Sequence, residues 1–158
     1  MAAKIRKTSF WKRLMKNEII LSIANKEIDI TAALNLRKKV FVEEQGIPIN
    51  MEIDGKDDRS IHIVALNNEK VVGTGRLTLE NERGIISRIA VHKEYRSIGL
   101  GKKIILFLEQ LAKDKQIQQL LLTPHKYLEK FYATLGYLEY GNTVKVGKHT
   151  LINMMKSI

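Results

Sequence analysis

The sequence predicts a single α/β (α+β) domain with a central mixed, mostly antiparallel sheet flanked by helices. Short segments rich in Val, Ile and Thr recur along the chain and are typical of strands. Longer segments with apolar residues three or four positions apart lie between them and are typical of helices. The length of 158 residues suits one domain with one sheet.

The predicted elements run in the order strand, helix, three strands, helix, strand, helix and two strands. The first strand covers residues 19–24, and Asp29 is the predicted N-cap of a helix over residues 30–45. That helix should end at Gly46, and Pro48 marks the same break. Strands at 61–67, 71–80 and 84–91, joined by turns at 67–70 and 81–84, predict an antiparallel meander.

The second half of the chain alternates helices and strands. Residues 100–115 carry Ile104, Ile105, Leu108 and Leu111 at helical spacing, which predicts an amphipathic helix. A strand at 117–123 follows, then a short helix at 128–135 that ends at Gly136. The stretches "YLEYGNTVKV" and "HTLINMMK" predict two terminal strands.

Composition excludes some chemistry. The chain has no cysteine, so disulfides, thiolate metal sites and thiol nucleophiles are excluded, which favours a reducing, cytoplasmic setting. No apolar run approaches the roughly 18–20 residues that cross a bilayer, so no membrane insertion is expected. The histidines show no metal-ligand spacing, and "DGKDDRS" is interpreted as a solvated turn, so no metal is predicted.

The formal net charge of +10 is unevenly distributed, since residues 1–16 hold six cations and no acid. We interpret residues 1–16 as a flexible basic arm, or as sequence before a start at Met15, and residues 17–158 as the domain. An arm of this kind could also touch nucleic acid or an anionic membrane. Nucleic-acid binding is the less favoured interpretation.

The stretch "RSIGLGKK" joins a predicted strand to a predicted helix and has the composition of a phosphate-binding loop. It is not a P-loop, because Arg96 stands where the first glycine should be and Lys103 where Ser or Thr should bind magnesium. It is not the dinucleotide fingerprint, because Ile104 replaces the third glycine. The pattern R-x-x-G-x-G remains, with Gly99 and Gly101 letting main-chain amides approach an anion. The alternative is a tight turn with solvated cations.

Three longer stretches carry a resemblance to a known family. "ISRIAVHKEYRSIGLGKKII" resembles motif A of the GNAT superfamily of N-acetyltransferases, and "LEKFYATLGYLEYG" is similar to the helix and strand that follow it. "LRKKVFVEEQGIPINMEIDGKDDRSIHIVAL" is similar to the N-terminal part of the ElaA-type branch. "KHTLINMM" lacks the proline that this branch commonly carries there. Together the resemblance covers about residues 17–156 and implies a GNAT-like fold.

The resemblance implies acetyl-CoA as co-substrate, gripped through its pyrophosphate. Pantetheine and the developing oxyanion would meet backbone groups of Ile89, Ala90 and Val91, where the strand parts from its neighbour. Many members place an asparagine near the end of the fifth strand, where this chain has "TPHKY" with His125. The implied pyrophosphate loop comprises Arg96, Ser97, Ile98, Gly99, Leu100, Gly101 and Lys102.

Acetyl transfer to an amine needs a neutral amine and an acid for the leaving thiolate. Tyr132 stands at the position of the acid tyrosine in many GNAT enzymes; the alternative is a ring packed in the core. Glu44 and His62 are the candidate bases, although a lone strand histidine is often structural. Gln45, Arg76 and Arg88 are the predicted acceptor-binding residues, together with Asp54. Arg88 could hold a substrate carboxylate or pair with Glu44.

The sequence thus predicts an enzyme, an N-acetyltransferase that moves an acetyl group directly from acetyl-CoA to a primary amine of a small molecule or peptide. The alternative is a CoA-binding sensor module with little turnover. GNAT proteins often dimerise through late strands, so the resemblance also raises a homodimer.

Overall fold

The computed structural model describes residues 18–158, so the predicted basic arm at residues 1–16 lies outside the described residues. The helices are Glu27–Arg37 (α1), Ile49–Glu52 (α2), Leu100–Asp114 (α3) and Glu129–Thr134 (α4). The strands are Ile20–Ile23 (β1), Ser60–Asn67 (β2), Lys70–Glu80 (β3), Arg83–Val91 (β4), Gln119–Leu122 (β5), Leu138–Val146 (β6) and His149–Ser157 (β7).

The strands form one seven-stranded sheet in the order β1-β2-β3-β4-β5-β7-β6. β4 and β5 are parallel, because α3 carries the chain back across the sheet between them, and the other neighbours are antiparallel. The predicted fold class, a mixed and mostly antiparallel sheet flanked by helices, is confirmed.

Both faces of the sheet are covered, because strand side chains alternate between them. Ile63 and Ala65 of β2 join the cluster that contains α3 and Tyr132 of α4. Val64, between them in sequence, joins the cluster that contains Ala33 of α1. Helix α3, which follows the predicted pyrophosphate loop, and helix α1 therefore lie on opposite faces of the sheet.

Glycines in β3 let α3 pack closely on the sheet. A Cβ atom added to Gly75 would lie 2.8 Å from Ile104 Cγ2 and 2.9 Å from Leu108 Cδ1. We therefore expect Gly75→Ala to lower the free energy of unfolding by about 1–3 kcal/mol in a urea titration. Gly101→Ala is the control, because its Cβ would meet no atom within 4 Å and alanine suits a helix. Equal stability of the two variants would contradict this packing.

The sheet parts on one side of β4. Residues 83–85 of β4 pair with residues 119–121 of β5, and β4 then continues to Val91 without that partner. On its other side β4 carries a bulge, where the single residue Gly75 faces both Arg88 and Ile89. Arg88 adopts a left-handed φ of 56°, a conformation that non-glycine residues avoid unless their surroundings hold it.

The predicted boundaries hold within a few residues, with two differences in the first helix. Asp29 is not the N-cap: the Lys26 carbonyl accepts bonds from the amides of Asp29 and Ile30, so the helix begins at Glu27. Asp29 instead adds negative charge to the first turn, where the helix dipole favours it. The helix continues as a π-helix over Lys38–Glu44 and ends before Gly46, as predicted. Periodicity also missed α2 and the 3₁₀ turn Asp57–Arg59, which are too short to show a repeat.

Candidate active site

The loop between β4 and α3 presents main-chain donors at the start of a long helix. Gly99 is the N-cap of α3 with a left-handed φ of 80°, and no side chain caps the helix. The first amide to bond within the helix is that of Lys103, to the Gly99 carbonyl. The amides before it are the ones a helix start leaves unpaired. A Cβ at Gly99 or Gly101 would meet nothing within 4 Å, so both positions border open space. This arrangement fits an anion.

A cavity of about 300 Å³, the cofactor cavity, lies in front of this loop. Seven of the predicted cofactor residues line it, whereas Ile98 belongs to the loop and is half exposed. Arg96, one of the lining residues, makes two contacts. Its Nη2 lies 2.7 Å from Glu44 Oε2, and its Nε donates to the Val91 carbonyl over 3.0 Å. The lining residues are Val91, Tyr95, Arg96, Ser97, Gly99, Leu100, Gly101, Lys102 and Phe131.

A second and larger cavity of about 370 Å³, the acceptor pocket, lies beside the open part of β4. Residues 85–89 of β4 form one wall, and the end of β5, α2, α4 and β7 supply the others. Of the predicted backbone contacts, Ile89 borders this pocket and Val91 borders the cofactor cavity, while Ala90 is buried on the α1 face. The unpaired edge of β4 thus runs from one cavity to the other.

Tyr132 lies in the wall of the acceptor pocket and is 7% exposed. Its ring meets Phe131 and Tyr137 edge to face, with centroids 5.1 and 5.8 Å apart. Burial raises the pKa of Tyr132 to about 12, so the phenol keeps its proton at neutral pH. Within residues 18–158, no other group hydrogen-bonds to this hydroxyl, and the only fully buried side-chain N or O atom without a partner there is Asn67 Oδ1, so the Tyr132 hydroxyl itself is accessible from the pocket. A protonated donor without a partner therefore stands beside the parted strands.

Six charged residues form an arginine–carboxylate cluster, four of which line the acceptor pocket while Arg37 and Asp57 lie behind them: Arg37, Glu52, Asp54, Asp57, Arg76 and Arg88. Arg37, only 1% exposed, grips Glu52 through Nε–Oε1 and Nη2–Oε2 contacts of 2.6 and 2.7 Å. Arg76, 2% exposed, holds Asp54 through Nη1–Oδ1 and Nη2–Oδ2 contacts of 2.9 and 2.6 Å. Asp57 Oδ1 joins the two arginines at 2.7 and 2.8 Å.

The cluster corrects two predictions. The segment "DGKDDRS" is not a solvated turn, because Asp54 and Asp57 are ligands of buried guanidinium groups. Arg88 does not pair with Glu44, which pairs with Arg96. Arg88 instead donates to the carbonyls of Met51 and Glu52 and contacts Asp54 Oδ2 at 3.2 Å. The bulged residue of β4 thereby fastens α2 to the pocket wall. Sequence reasoning failed here because the guanidinium partners of Asp54 and Asp57 and the partners of Arg88 lie 19 to 37 positions away in the sequence.

The arginine–carboxylate cluster makes the free energy of unfolding depend on pH. Hydrogen bonds from Arg76 lower the pKa of Asp54, and bonds from Arg37 and Arg76 outweigh burial and lower the pKa of Asp57. Lowered folded-state pKa values stabilise the fold above the unfolded pKa of about 4, and this contribution is lost as the pH falls through the folded values. We expect the free energy of unfolding to fall progressively below about pH 4. Asp54→Asn should flatten that decline, whereas Asp58→Asn, an exposed neighbour, should not; matching profiles for both would contradict the assignment.

The candidate bases predicted from the sequence lie outside the pocket wall. His62 is buried beside the cluster, where its Nε2 donates to the Asp57 carbonyl over 3.0 Å. Glu44 is held by Arg96 at the cofactor loop. The predicted acceptor-binding residues Arg76 and Arg88 do line the pocket, together with Asp54. Gln45 stands behind the wall, fastened to two histidines.

Those two histidines, His125 and His149, line the pocket and were not singled out as site residues by the sequence. His125 Nε2 donates to Gln45 Oε1 over 2.9 Å, and His149 Nε2 donates to the Gln45 carbonyl over 2.8 Å. Their rings meet edge to face, and His125 stacks on Tyr127. Burial and the neighbouring His149 lower the pKa of His125, which keeps it neutral at pH 7. The only signal in the sequence was the departure from the family's asparagine at this place.

Two further properties of the described part of the chain bear on its function. Residues 18–158 bring together no group of three or more metal-ligating side chains. No helix in this range is both long and apolar enough to span a membrane.

An open helix start next to a strand edge that borders a substrate-sized pocket is the arrangement expected of a transferase with a phosphate-bearing donor. Residues 25–158 match the sequence profile of the family described as "Acetyltransferase (GNAT) domain". The chain therefore belongs to the GNAT acetyltransferases and is an enzyme of acetyl-CoA-dependent acyl transfer. The resemblance seen in the sequence is confirmed.

Relatives and solved structures agree with this membership. The Bacillus subtilis uncharacterized N-acetyltransferase YjcF is 37% identical over 115 residues, covering 73% of this chain and 82% of YjcF. The crystal structure of Escherichia coli ElaA has a TM-score of 0.80 at 21% identity, covering 88% of this chain and 99% of ElaA. An aminoglycoside 6′-N-acetyltransferase complexed with coenzyme A has a TM-score of 0.71 at 14% identity, covering 87% and 96% of the two chains. At these identities the two structures show the fold alone.

Proposed function

We propose that this enzyme transfers an acetyl group from acetyl-CoA directly to a primary amine of a small molecule or a peptide. The observation that carries the proposal is the free edge of β4. Val91 at its end borders the cofactor cavity and Ile89 borders the acceptor pocket, so donor and acceptor would meet on one unpaired strand. Binding both substrates side by side favours attack without a covalent enzyme intermediate, and the chain has no cysteine to form a thioester.

The donor fits the residues present. In the proposal, amides of residues 97–102 hold the pyrophosphate, helped by Arg96 and Lys102. Backbone groups of residues 89–91, unpaired toward β5, bind pantetheine and stabilise the carbonyl oxygen as it gains charge. Acetyl-CoA supplies the activated thioester carbonyl when bound. The open space before Gly99 and Gly101 supports this placement, because a side chain there would fill it.

Tyr132 is the proposed acid. The amine nitrogen forms a bond to the acetyl carbon, the carbon–sulfur bond breaks, and the sulfur takes the proton of the phenol. The amine releases one proton to His125, and transfer of that proton to the phenolate through solvent restores both His125 and Tyr132. The absence of another bond to this hydroxyl within residues 18–158 supports the role, because the donor is not engaged elsewhere.

The proton acceptor in this proposal is His125, and Glu44 and His62 hold structural contacts. Gln45 Oε1 can only accept, so the proton of His125 stays on Nε2 and Nδ1 is left as an acceptor. The lowered pKa of His125 keeps that acceptor available at neutral pH. Glu44 is neutralised by Arg96, and His62 faces the Asp57 carbonyl away from the pocket.

We expect His125→Asn to lower kcat/KM for the amine by about 10- to 100-fold at pH 7, with acetyl-CoA affinity unchanged. The loss should shrink as the pH rises toward 9, because more of the amine is then already neutral. Steady-state kinetics between pH 6.5 and 9.5 test this. His92→Asn is the matched control, because His92 lines neither the acceptor pocket nor the cofactor cavity. A loss that is constant across pH would rule out the role.

The function itself is tested by thiol release. Purified full-length protein with acetyl-CoA and a panel of primary amines should liberate free CoA and yield acetylated amine by mass spectrometry. Tight acetyl-CoA binding with no release across the panel would favour the sensor module instead. Binding to nucleic acid that weakens steeply with salt and disappears without residues 1–16 would instead support a nucleic-acid-binding role for the basic arm.

A further inference from the structure

The acceptor pocket is walled mainly by aliphatic and aromatic side chains. One wall is made by β4 and the end of β5, and Phe41 and Ile47, between α1 and α2, line another part of the pocket. An amine placed with its nitrogen near the parted strands would therefore lay the rest of its body against hydrocarbon. The apolar members of the wall are Phe41, Ile47, Met51, Ile85, Ile86, Ile89, Leu122, Pro124, Leu128, Val146 and Leu151.

The charged groups in the wall are already paired. The arginine–carboxylate cluster contains three arginines and three carboxylates, so its formal charge is zero. Lys56, the remaining charged residue of the wall, lies 3.1 Å from Glu80 Oε1. Within residues 18–158, every charged side chain of the wall thus already has a partner of opposite charge, and Lys56 shares its partner Glu80 with Arg59.

The rim extends the apolar surface outward. Ile49, Met51 and Ile53, on and just after α2, are each between 44% and 62% exposed. Arg88 holds this segment by its Met51 and Glu52 carbonyls, and Met51 is the exposed apolar residue of the segment that lines the pocket. Exposed apolar groups at a pocket mouth favour ligands with an apolar end.

We propose that the acceptor is a monoamine whose body is apolar and carries no second charge, such as an alkylamine, an arylalkylamine or the amino end of an apolar peptide. This inference rests on the proposed function and names its substrate class. A second ammonium or a carboxylate in this pocket would lose its water and meet only charged groups that already have partners, so its desolvation cost would not be recovered. Diamines, polyamines and free amino acids are therefore disfavoured.

Matched pairs of amines test the inference on the wild-type enzyme. Hexylamine and 1,5-diaminopentane have the same number of heavy atoms and differ by one methyl for one ammonium. Phenethylamine and phenylalanine differ by one carboxylate. We expect kcat/KM to be at least about tenfold higher for hexylamine and for phenethylamine, the members of the two pairs without a second charged group. Calorimetry with the CoA-loaded protein should give the same order of affinities without depending on turnover.

A charge added at the rim should change the preference. Met51→Glu places a carboxylate at the pocket mouth on a residue that is 44% exposed, so folding should not suffer. The ratio of hexylamine to diaminopentane should then fall by about tenfold. Ile28→Glu is the control, because Ile28 is 74% exposed on α1 and is not part of the pocket wall; its ratio should equal that of the wild type.

The outcomes separate the two proposals. If diaminopentane is acetylated as efficiently as hexylamine, or phenylalanine as efficiently as phenethylamine, the proposed substrate class is overturned and the proposed function stands. No acetylation of any amine, with hexylamine still binding more tightly than diaminopentane, overturns the function and supports the pocket chemistry. Equal binding of both members of each pair overturns the inference whatever the turnover.

Discussion

A Gly101→Glu variant is expected to lose acetyl-CoA affinity by at least about a hundredfold, because several charge-assisted bonds to the pyrophosphate would be replaced by repulsion. The added side chain would meet no protein atom near its Cβ, so it occupies the space before the helix start. Its carboxylate then stands where the amides of α3 and the helix dipole attract an anion. Isothermal titration calorimetry with acetyl-CoA and with CoA measures the loss directly.

The control for this variant keeps the charge change and moves it along the helix. Leu106 lies on α3, is 44% exposed and borders neither cavity, so Leu106→Glu should retain wild-type affinity. Circular dichroism and thermal melting should show both variants folded. Unaltered acetyl-CoA affinity in Gly101→Glu would refute the loop assignment and, with it, the proposed position of the donor.

The second large effect is expected for Tyr132→Phe. Turnover should fall between about fivefold and a few hundredfold, while acetyl-CoA affinity stays within about twofold, because only the proton donor is lost. The phenyl ring still fills its place against Phe131 and Tyr137, so stability should change little. Single-turnover measurements separate the chemical step from product release.

Tyr137→Phe is the matched control, since it removes the same atom from the neighbouring ring. Its hydroxyl donates to Glu109 over 2.9 Å, in a buried group that also holds Lys156, away from the acceptor pocket. That variant should lose stability and keep its turnover per folded molecule. Because the pKa of Tyr132 is about 12, wild-type turnover should also show no loss from phenol ionisation up to about pH 11. A turnover unchanged in Tyr132→Phe would remove Tyr132 from the mechanism.

The fold was predictable because its signals are local. Period-two strands, the amphipathic α3 and the glycines that end helices are all written within short windows of sequence. The prediction that failed at the first helix, its N-cap, depended on which carbonyl accepts the first helical hydrogen bonds. Asp29 looks like a cap, but the Lys26 carbonyl had already started the helix.

The site divides in the same way. The predicted pyrophosphate loop is contiguous, so a motif of eight residues was enough to predict which residues line the cavity at the start of α3. The acceptor pocket joins α2, β4, the segment after β5, and β7, and its contacts bridge up to 104 positions, as between His149 and Gln45. No local pattern records such contacts. A carboxylate-rich segment also looks the same in sequence whether it faces water or Arg37 and Arg76.

The early end of pairing between β4 and β5 gives the sheet an internal edge. Outer edges invite strands from other molecules, and proteins protect them with short lengths or charges. This edge lies within the sheet, where the pairing with β5 stops, so a thin linear amide chain fits it better than a folded neighbour does. In the proposed complex, pantetheine would complete the hydrogen-bond ladder as a missing strand does, and the cofactor would become part of the architecture during each catalytic cycle.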